Sequence, residues 1–258
     1  MIGALKKIAF YILLIVIWEL VYKVGVDVLL IWKSYTFPSP IDVFKSLYFL
    51  AIDNTLMIAV SASMKRLIVG YLLSVVIGLS LGLFIVRYKY IGENIKALLL
   101  GLQTLPSICW LPFAILWFGL SEKTIIFVIA MGSIFAISIA TEGAISNVYP
   151  LYIKAAKTMG AKGLKLYMHV VIPASLPSIV AGMKQGWSFA WRALMAGEML
   201  AVTKGLGQVL MVGRDLADIS QVVAVMIVII VIGLLLDNIV FGKIEANIRQ
   251  KWGLEVKL

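Results

Sequence analysis

The sequence contains one cysteine, Cys109, and one histidine, His169. A lone cysteine excludes an internal disulfide framework and any multi-cysteine metal site. A lone histidine leaves little scope for a histidine-bound metal. Charge is scarce as well: charged residues make up 14% of the 258, whereas a soluble domain carries about 25%. So few charges cannot cover a water-soluble globule of this size. An ordinary cytosolic enzyme, a disordered tail and a fibrous protein are therefore excluded. What is abundant is apolar: the hydrophobic fraction is 62% and the mean hydropathy is +1.03. An all-α integral membrane protein remains.

A membrane-spanning helix needs about 20 apolar residues. Six runs meet that length, over 8–31, 67–86, 97–117, 124–140, 178–201 and 221–241. The first is too long for a cleaved signal peptide and no small-residue cleavage site follows it. Within it, Glu19, Lys23 and Asp27 stand four apart on one stripe and can pair. Ser39, Pro40 and Asp42 read as a helix cap, first helical position and N3 residue. They open an amphipathic helix expected at the membrane surface, with Phe44, Leu47, Tyr48 and Ala51 on its apolar face. Lys65-Arg66 opens the second span and Arg87 and Lys89 close it.

The net charge of +10 does not point to nucleic acid, because the cations cluster in short loops between apolar runs. A cytoplasmic N-terminus puts thirteen Lys and Arg inside and seven outside, as expected from the positive-inside bias. Both termini are then cytoplasmic, and so is the long loop 141–177. A connection of that length among much shorter ones needs a reason. Pro150 starts a short helix there and Gly160 ends it in a left-handed conformation. Residues 161–171 form a second short helix expected to stop before Pro173. Ala155 and Ala156 offer a bare patch where another protein could approach.

This loop resembles the coupling loop of binding-protein-dependent ABC importer permeases. That family's signature is Glu-Ala-Ala, three residues, Gly, nine residues, Ile, one residue, Leu-Pro. Here Lys154-Ala155-Ala156, Gly160, Val170 and Ile172-Pro173 keep every spacing, with Lys154 in place of the glutamate. The resemblance extends over roughly residues 36 to 210. Phe37-Pro38-Ser39-Pro40 is similar to the sulfonate, taurine, nitrate and bicarbonate branch. So are Leu105-Pro106-Ser107, Leu111-Pro112, Trp117-Phe118-Gly119, Trp191, Ala196-Gly197-Glu198-Met199 and Gly205-Leu206-Gly207.

The resemblance implies a type I importer permease: a five-helix core plus an N-terminal span. It implies a second permease copy or a related permease, two ATPase subunits and an extracytoplasmic solute-binding protein as partners, all at the cell membrane and in contact with lipid. It assigns Lys154, Ala155, Ala156, Lys157, Gly160 and Pro173 to ATPase coupling. The solute it implies is a small anion such as a sulfonate, taurine, nitrate or bicarbonate, or else a thiamine precursor or an aromatic nutrient.

The residues themselves name a candidate pathway. Pro106 and Pro112 free helical carbonyls, which must face protein or a wet cavity. Arg192 and Glu198 are costly within a span, about 2.5–3.5 kcal/mol each, and should face the interior. Arg192, beside Trp191, would offer charge to an anion, or else form an internal ion pair. Glu198 lies nearer the outer end and could belong to a gate. Gly78-Leu79-Ser80-Leu81-Gly82 lacks the lysine of a phosphate-binding loop. The chain is therefore expected to be non-catalytic and to hold no cofactor or metal, with ATP and Mg bound by the partner. An intramembrane enzyme would need a catalytic pair, and Arg192 and Glu198, six apart, do not share a face. A gradient-driven secondary transporter would need inverted repeats or an acidic relay, and neither is apparent.

Overall fold

The structure is a computed structural model that describes residues 2–33, 35–201 and 203–251. The tail 252–258, including Lys257 of the expected cytoplasmic terminus, lies outside the described residues. Every element among the described residues is helical. The chain divides into two compact units. One comprises residues 1–62 and 204–231, the other residues 63–203 and 232–258.

In the first unit, α1 (Ile2–Tyr22) continues into a π-helical turn, Lys23–Val28. Lys23 pairs with Glu19 at 3.4 Å. Trp18 Nε1 donates to Pro38 O at 3.1 Å and so ties α1 to the start of α2 (Pro40–Ile52). Ser39 caps α2, its Oγ accepting from the Asp42 amide at 3.1 Å. The buried face of α2 is Val43 and Leu50. Of the expected apolar stripe, Leu47 is half-buried, while Phe44, Tyr48 and Ala51 are exposed. Helix α10 (Leu206–Asp215) turns back into α11 (Ile219–Leu236). Asp218 caps the Gln221 amide, and Gln221 Nε2 reaches Val209 O at 2.9 Å.

The second unit is built round α6 (Glu122–Ser146), which is apolar on all sides and carries the largest share of buried residues. A helix of that pattern belongs in a core. Helix α3 (Thr55–Arg87) and helix α9 (Ile172–Leu200) flank it. A Cβ on Gly70 would lie 2.7 Å from Ile129, one on Gly78 2.8 Å from Ile137, and one on Gly82 2.6 Å from Thr141. On α9, Gly182 faces Ala140 and Gly186 faces Ile137 in the same manner. The paired glycines therefore serve packing within the chain. Small residues let helix backbones approach closely where lipid supplies no hydrophobic drive. Hydroxyls add to the seam: Ser133 Oγ donates to Ser74 Oγ at 2.7 Å. Helices α4 (Lys89–Gln103) and α5 (Leu111–Phe118) close the other sides through Leu99 and Ala114.

Three expectations change. The second apolar run belongs to a 33-residue helix starting at Thr55, so Lys65 and Arg66 lie inside it rather than before it. The run 97–117 is not one straight span. It bends by 99° between α4 and the 3-10 turn Ser107–Trp110 that leads into α5. Among the described residues, five helices are long and apolar enough to cross a membrane, or six with the bent pair counted as one. Pro106 supplies the break. It has no N–H to continue the helix and its ring disfavours helical backbone in Leu105, and Pro106 itself is extended at φ −54° and ψ 134° ahead of the turn. Pro112 breaks nothing, because it occupies the first turn of α5, where its missing N–H is no loss. Last, the second short helix does not stop before Pro173. It runs from α8 (Gly163–Leu166) through a π-helical turn, Tyr167–Val171, straight into α9.

Replacing Gly182 by leucine should overpack the α6–α9 seam and cost about 1–3 kcal/mol or more. Gly101→Ala, with nothing within 4 Å of the new methyl, should be neutral or mildly stabilising. Thermal unfolding of both variants in detergent checks the contrast. Equal melting temperatures would refute the close-approach account.

Candidate functional site

The segment joining α6 to α9 carries the coupling signature. Pro150 occupies the first turn of α7 (Pro150–Thr158). Gly160 ends it at φ +87°, a conformation that costs glycine nothing. The chain folds back there, with the Ala161 amide donating to Ala156 O at 2.9 Å. Ile153 and Ala156 face inward, onto Ile145, Val148, Leu166, Val171 and Ile179. The two alanines thus divide. Ala155 is exposed, but Ala156 is only 8% exposed and serves as an anchor. The outer face is Leu151, Tyr152, Ala155 and Met159, the last 88% exposed. Lys154 and Lys157 are exposed beside it, so neither charge is needed to hold the helix in place. Pro173 sits half-buried in the first turn of α9. His169 is exposed, its Nδ1 3.2 Å from Lys165 O.

The pathway residues do not form one group. Pro106 and Arg192 meet in a recess of about 250 Å³, with Gln103, Thr104, Ser107 and Phe189. Arg192 does not face the chain's interior. It is exposed, its Nε donates to Ser188 O at 3.1 Å, and its guanidinium lies 4.7 Å from the Phe189 ring centre. Trp191 turns elsewhere, toward Gly233 and the α3–α6–α9 core. Pro112 is absent from the recess lining.

Glu198 is buried, 1% exposed, and its partner is Arg66 rather than Arg192. Arg66 Nη1 donates to Glu198 Oε1 at 2.8 Å, and Ser63 Oγ donates to the same carboxylate at 2.7 Å. Arg66, 3% exposed, also reaches Glu122 Oε1 at 3.4 Å, and Lys65 approaches Glu122 at 3.6 Å. The cluster pins α3 to the start of α6 and the end of α9. Sequence reading missed it by placing Lys65-Arg66 in a loop. The usable signal was the apolar run Leu56–Val60 upstream, which carries the helix past both cations. Lys184 pairs with Asp237 at 3.3 Å and Glu245 at 3.7 Å. Lys96 pairs with Glu142. Among the described residues no group of three His, Cys, Asp or Glu is placed to hold a metal.

Breaking the buried pair should be far more damaging than removing it. Arg66→Ala or Glu198→Ala takes the short ion-pair partner from a buried charge and should cost about 3–5 kcal/mol, whereas Arg66→Met with Glu198→Leu should recover most of that. Denaturation of the three variants in detergent measures it. A single variant as stable as the parent would remove the cluster's structural role.

Comparison with known proteins gives a consistent result. The family described as binding-protein-dependent transport system inner membrane component matches residues 70–249. A protein of Methanocaldococcus jannaschii named as an ABC transporter permease is 39% identical over 188 residues, 72% of this chain and 68% of its own length. The nitrate import permease NrtB of Synechocystis is 27% identical over 88% of this chain and 83% of its own. SsuC of Escherichia coli, named for aliphatic sulfonates transport, is 28% identical over 87% and 83%. Among solved structures, a chain of the inward-facing MetNI methionine ABC transporter aligns with a TM-score of 0.64 at 18% identity, over 75% of this chain and 96% of that one. That likeness carries the type I importer fold. With its six apolar segments, its bent fourth and fifth helices and its intact connector between α6 and α9, the chain belongs to the family of binding-protein-dependent transport inner membrane components, the permeases of ABC importers.

Proposed function

We propose that this permease forms the membrane pathway for a small anion, a sulfonate or nitrate-like solute. Transport is driven by ATP hydrolysed on two partner subunits that dock on α7. An extracytoplasmic binding protein delivers the solute, and a second copy of this chain completes the pathway. ATP and Mg belong to the partner. The termini and the connector 141–177 face the cytoplasm, in line with the excess of Lys and Arg on that side.

The observation that carries the reading is the outer face of α7. Leu151, Tyr152, Ala155 and Met159 are exposed together on a helix whose inner face is anchored between α6 and α9. An exposed apolar patch on an anchored helix suits a docking surface, and a push on it is delivered to two core helices at once. Rocking of packed helices between two arrangements then suffices for alternating access.

The anion reading draws on the recess at Arg192. The guanidinium stands among the polar groups of Gln103, Thr104 and Ser107, at the break made by Pro106. Arginine suits planar oxyanions, which it binds in a bidentate manner. The relatives named for nitrate and for sulfonates fit the same chemistry.

Two substitutions separate docking from passage. Gly160→Pro cannot keep φ at +87° and should release the ATPase or uncouple it. Co-purification from the native host together with uptake reads this, and normal values for both would refute the docking surface. Arg192→Glu should lower anion uptake about tenfold or more, a change of about 1.4 kcal/mol, while the ATPase still co-purifies. Uptake at the parent rate would end the anion-path reading. Uptake that persists after ATP depletion, with ion gradients clamped, would point to a gradient-driven carrier.

A further inference from the structure

A second recess, of about 400 Å³, opens where the end of α3 meets the connector. We propose that it is a binding site for an anionic phospholipid, with one acyl chain against its wall and the head group at Arg87. The proposal rests on the reading above in one respect, that this end of α3 is the cytoplasmic one.

Leu83 and Val86 of α3, Ile145 of α6 and Leu164, Met168 and Ile172 form its apolar wall. Arg87 is the one charged residue in the lining, and no carboxylate lines it. Arg87 is also the last residue of α3, where the apolar run ends. A cation there stands at head-group depth, and basic pockets between helices on the cytoplasmic side suit anionic head groups. The wall continues a surface already suited to lipid: Leu72, Leu73, Val76 and Ile77 are exposed along α3 above it. An acyl chain lying on that surface therefore meets the recess without leaving apolar contact. A volume of this size, mostly apolar with one placed polar group, is the usual form of a small-ligand site.

The floor is specifically shaped. Gly163 takes φ +54°, and the chain then follows the π-helical turn Tyr167–Val171. Turns of that kind are frequent at functional sites. Tyr167 and Met168 line the recess from it. The lipid would thus touch α3, α6 and the connector together, and its presence would bias how firmly the connector follows α7.

The test uses the permease purified with its co-purifying ATPase in mild detergent, titrated with phosphatidylglycerol or phosphatidylcholine and read by native mass spectrometry. The parent should retain one phosphatidylglycerol with at least about tenfold preference over phosphatidylcholine. Arg87→Ala should lose that preference. Leu164→Trp, at an exposed position whose larger ring fills the recess, should lose retention of both lipids. Inorganic phosphate should not displace the lipid. Equal retention of the two lipids by the parent, unchanged retention in both variants, or full displacement by phosphate would each overturn the proposal. ATPase co-purification is read in the same spectra. Its loss in the parent would sink the docking reading without touching the lipid result.

Discussion

The second unit depends on how closely α6 approaches its two neighbours. Helices in a bilayer gain little from hiding apolar surface, because lipid is as apolar as leucine. They are held by van der Waals contact and by hydrogen bonds across the seam. Gly70, Gly78 and Gly82 on α3, with Gly182 and Gly186 on α9, remove the side chains that would hold the backbones apart. The branched residues of α6, Ile129 and Ile137 among them, fill the gaps. Interiors packed this densely transmit displacement rather than absorb it.

That stiffness gives the connector its meaning. The segment between α6 and α9 is no loose loop but α7, a left-handed stop at Gly160, α8 and a π turn that merges into α9. Its apolar inner face is continuous with the core through Ile145 and Ile179. On the proposed mechanism, a force on the outer face of α7 reaches α6 at one end and α9 at the other. Arg192 lies on α9, as does Pro173, so on that mechanism the proposed docking helix leads into the helix that carries the proposed pathway residue.

Among the described residues of the second unit, charge is used sparingly and the ion pairs join different elements. Arg66 and Glu198 join α3 to α9, Lys96 and Glu142 join α4 to α6, and Lys184 joins α9 to Asp237 and Glu245. Arg66 and Glu198 sit where an unpaired charge would be costly, while the other two sets are partly exposed. Such pairs stabilise less than they specify, since only one register of the helices brings both partners together. Glu198 shows the point: its ligands, Ser63 and Arg66, lie one turn apart on α3.

Local chemistry was readable from the chain itself. Composition required a membrane protein of helices. Ser39 and Asp42 announced a cap, and Gly160 announced a left-handed stop. The length of the run 141–177 located the connector, and the spacing from Lys154 to Pro173 carried its resemblance to a coupling loop. The cap and the stop follow from backbone geometry and side-chain reach within a few residues. Tertiary structure decided the rest. It turned Ala156 inward and left Ala155 outside, because the phase of α7 is set by the surface on which it docks. It carried the helix through Pro173, because the preceding π turn already delivers the chain in helical form. It paired Glu198 with Arg66, 132 residues away, and left Arg192 exposed at a recess. Partners that distant are chosen by which helices pack together, and periodicity along one helix carries no record of that choice.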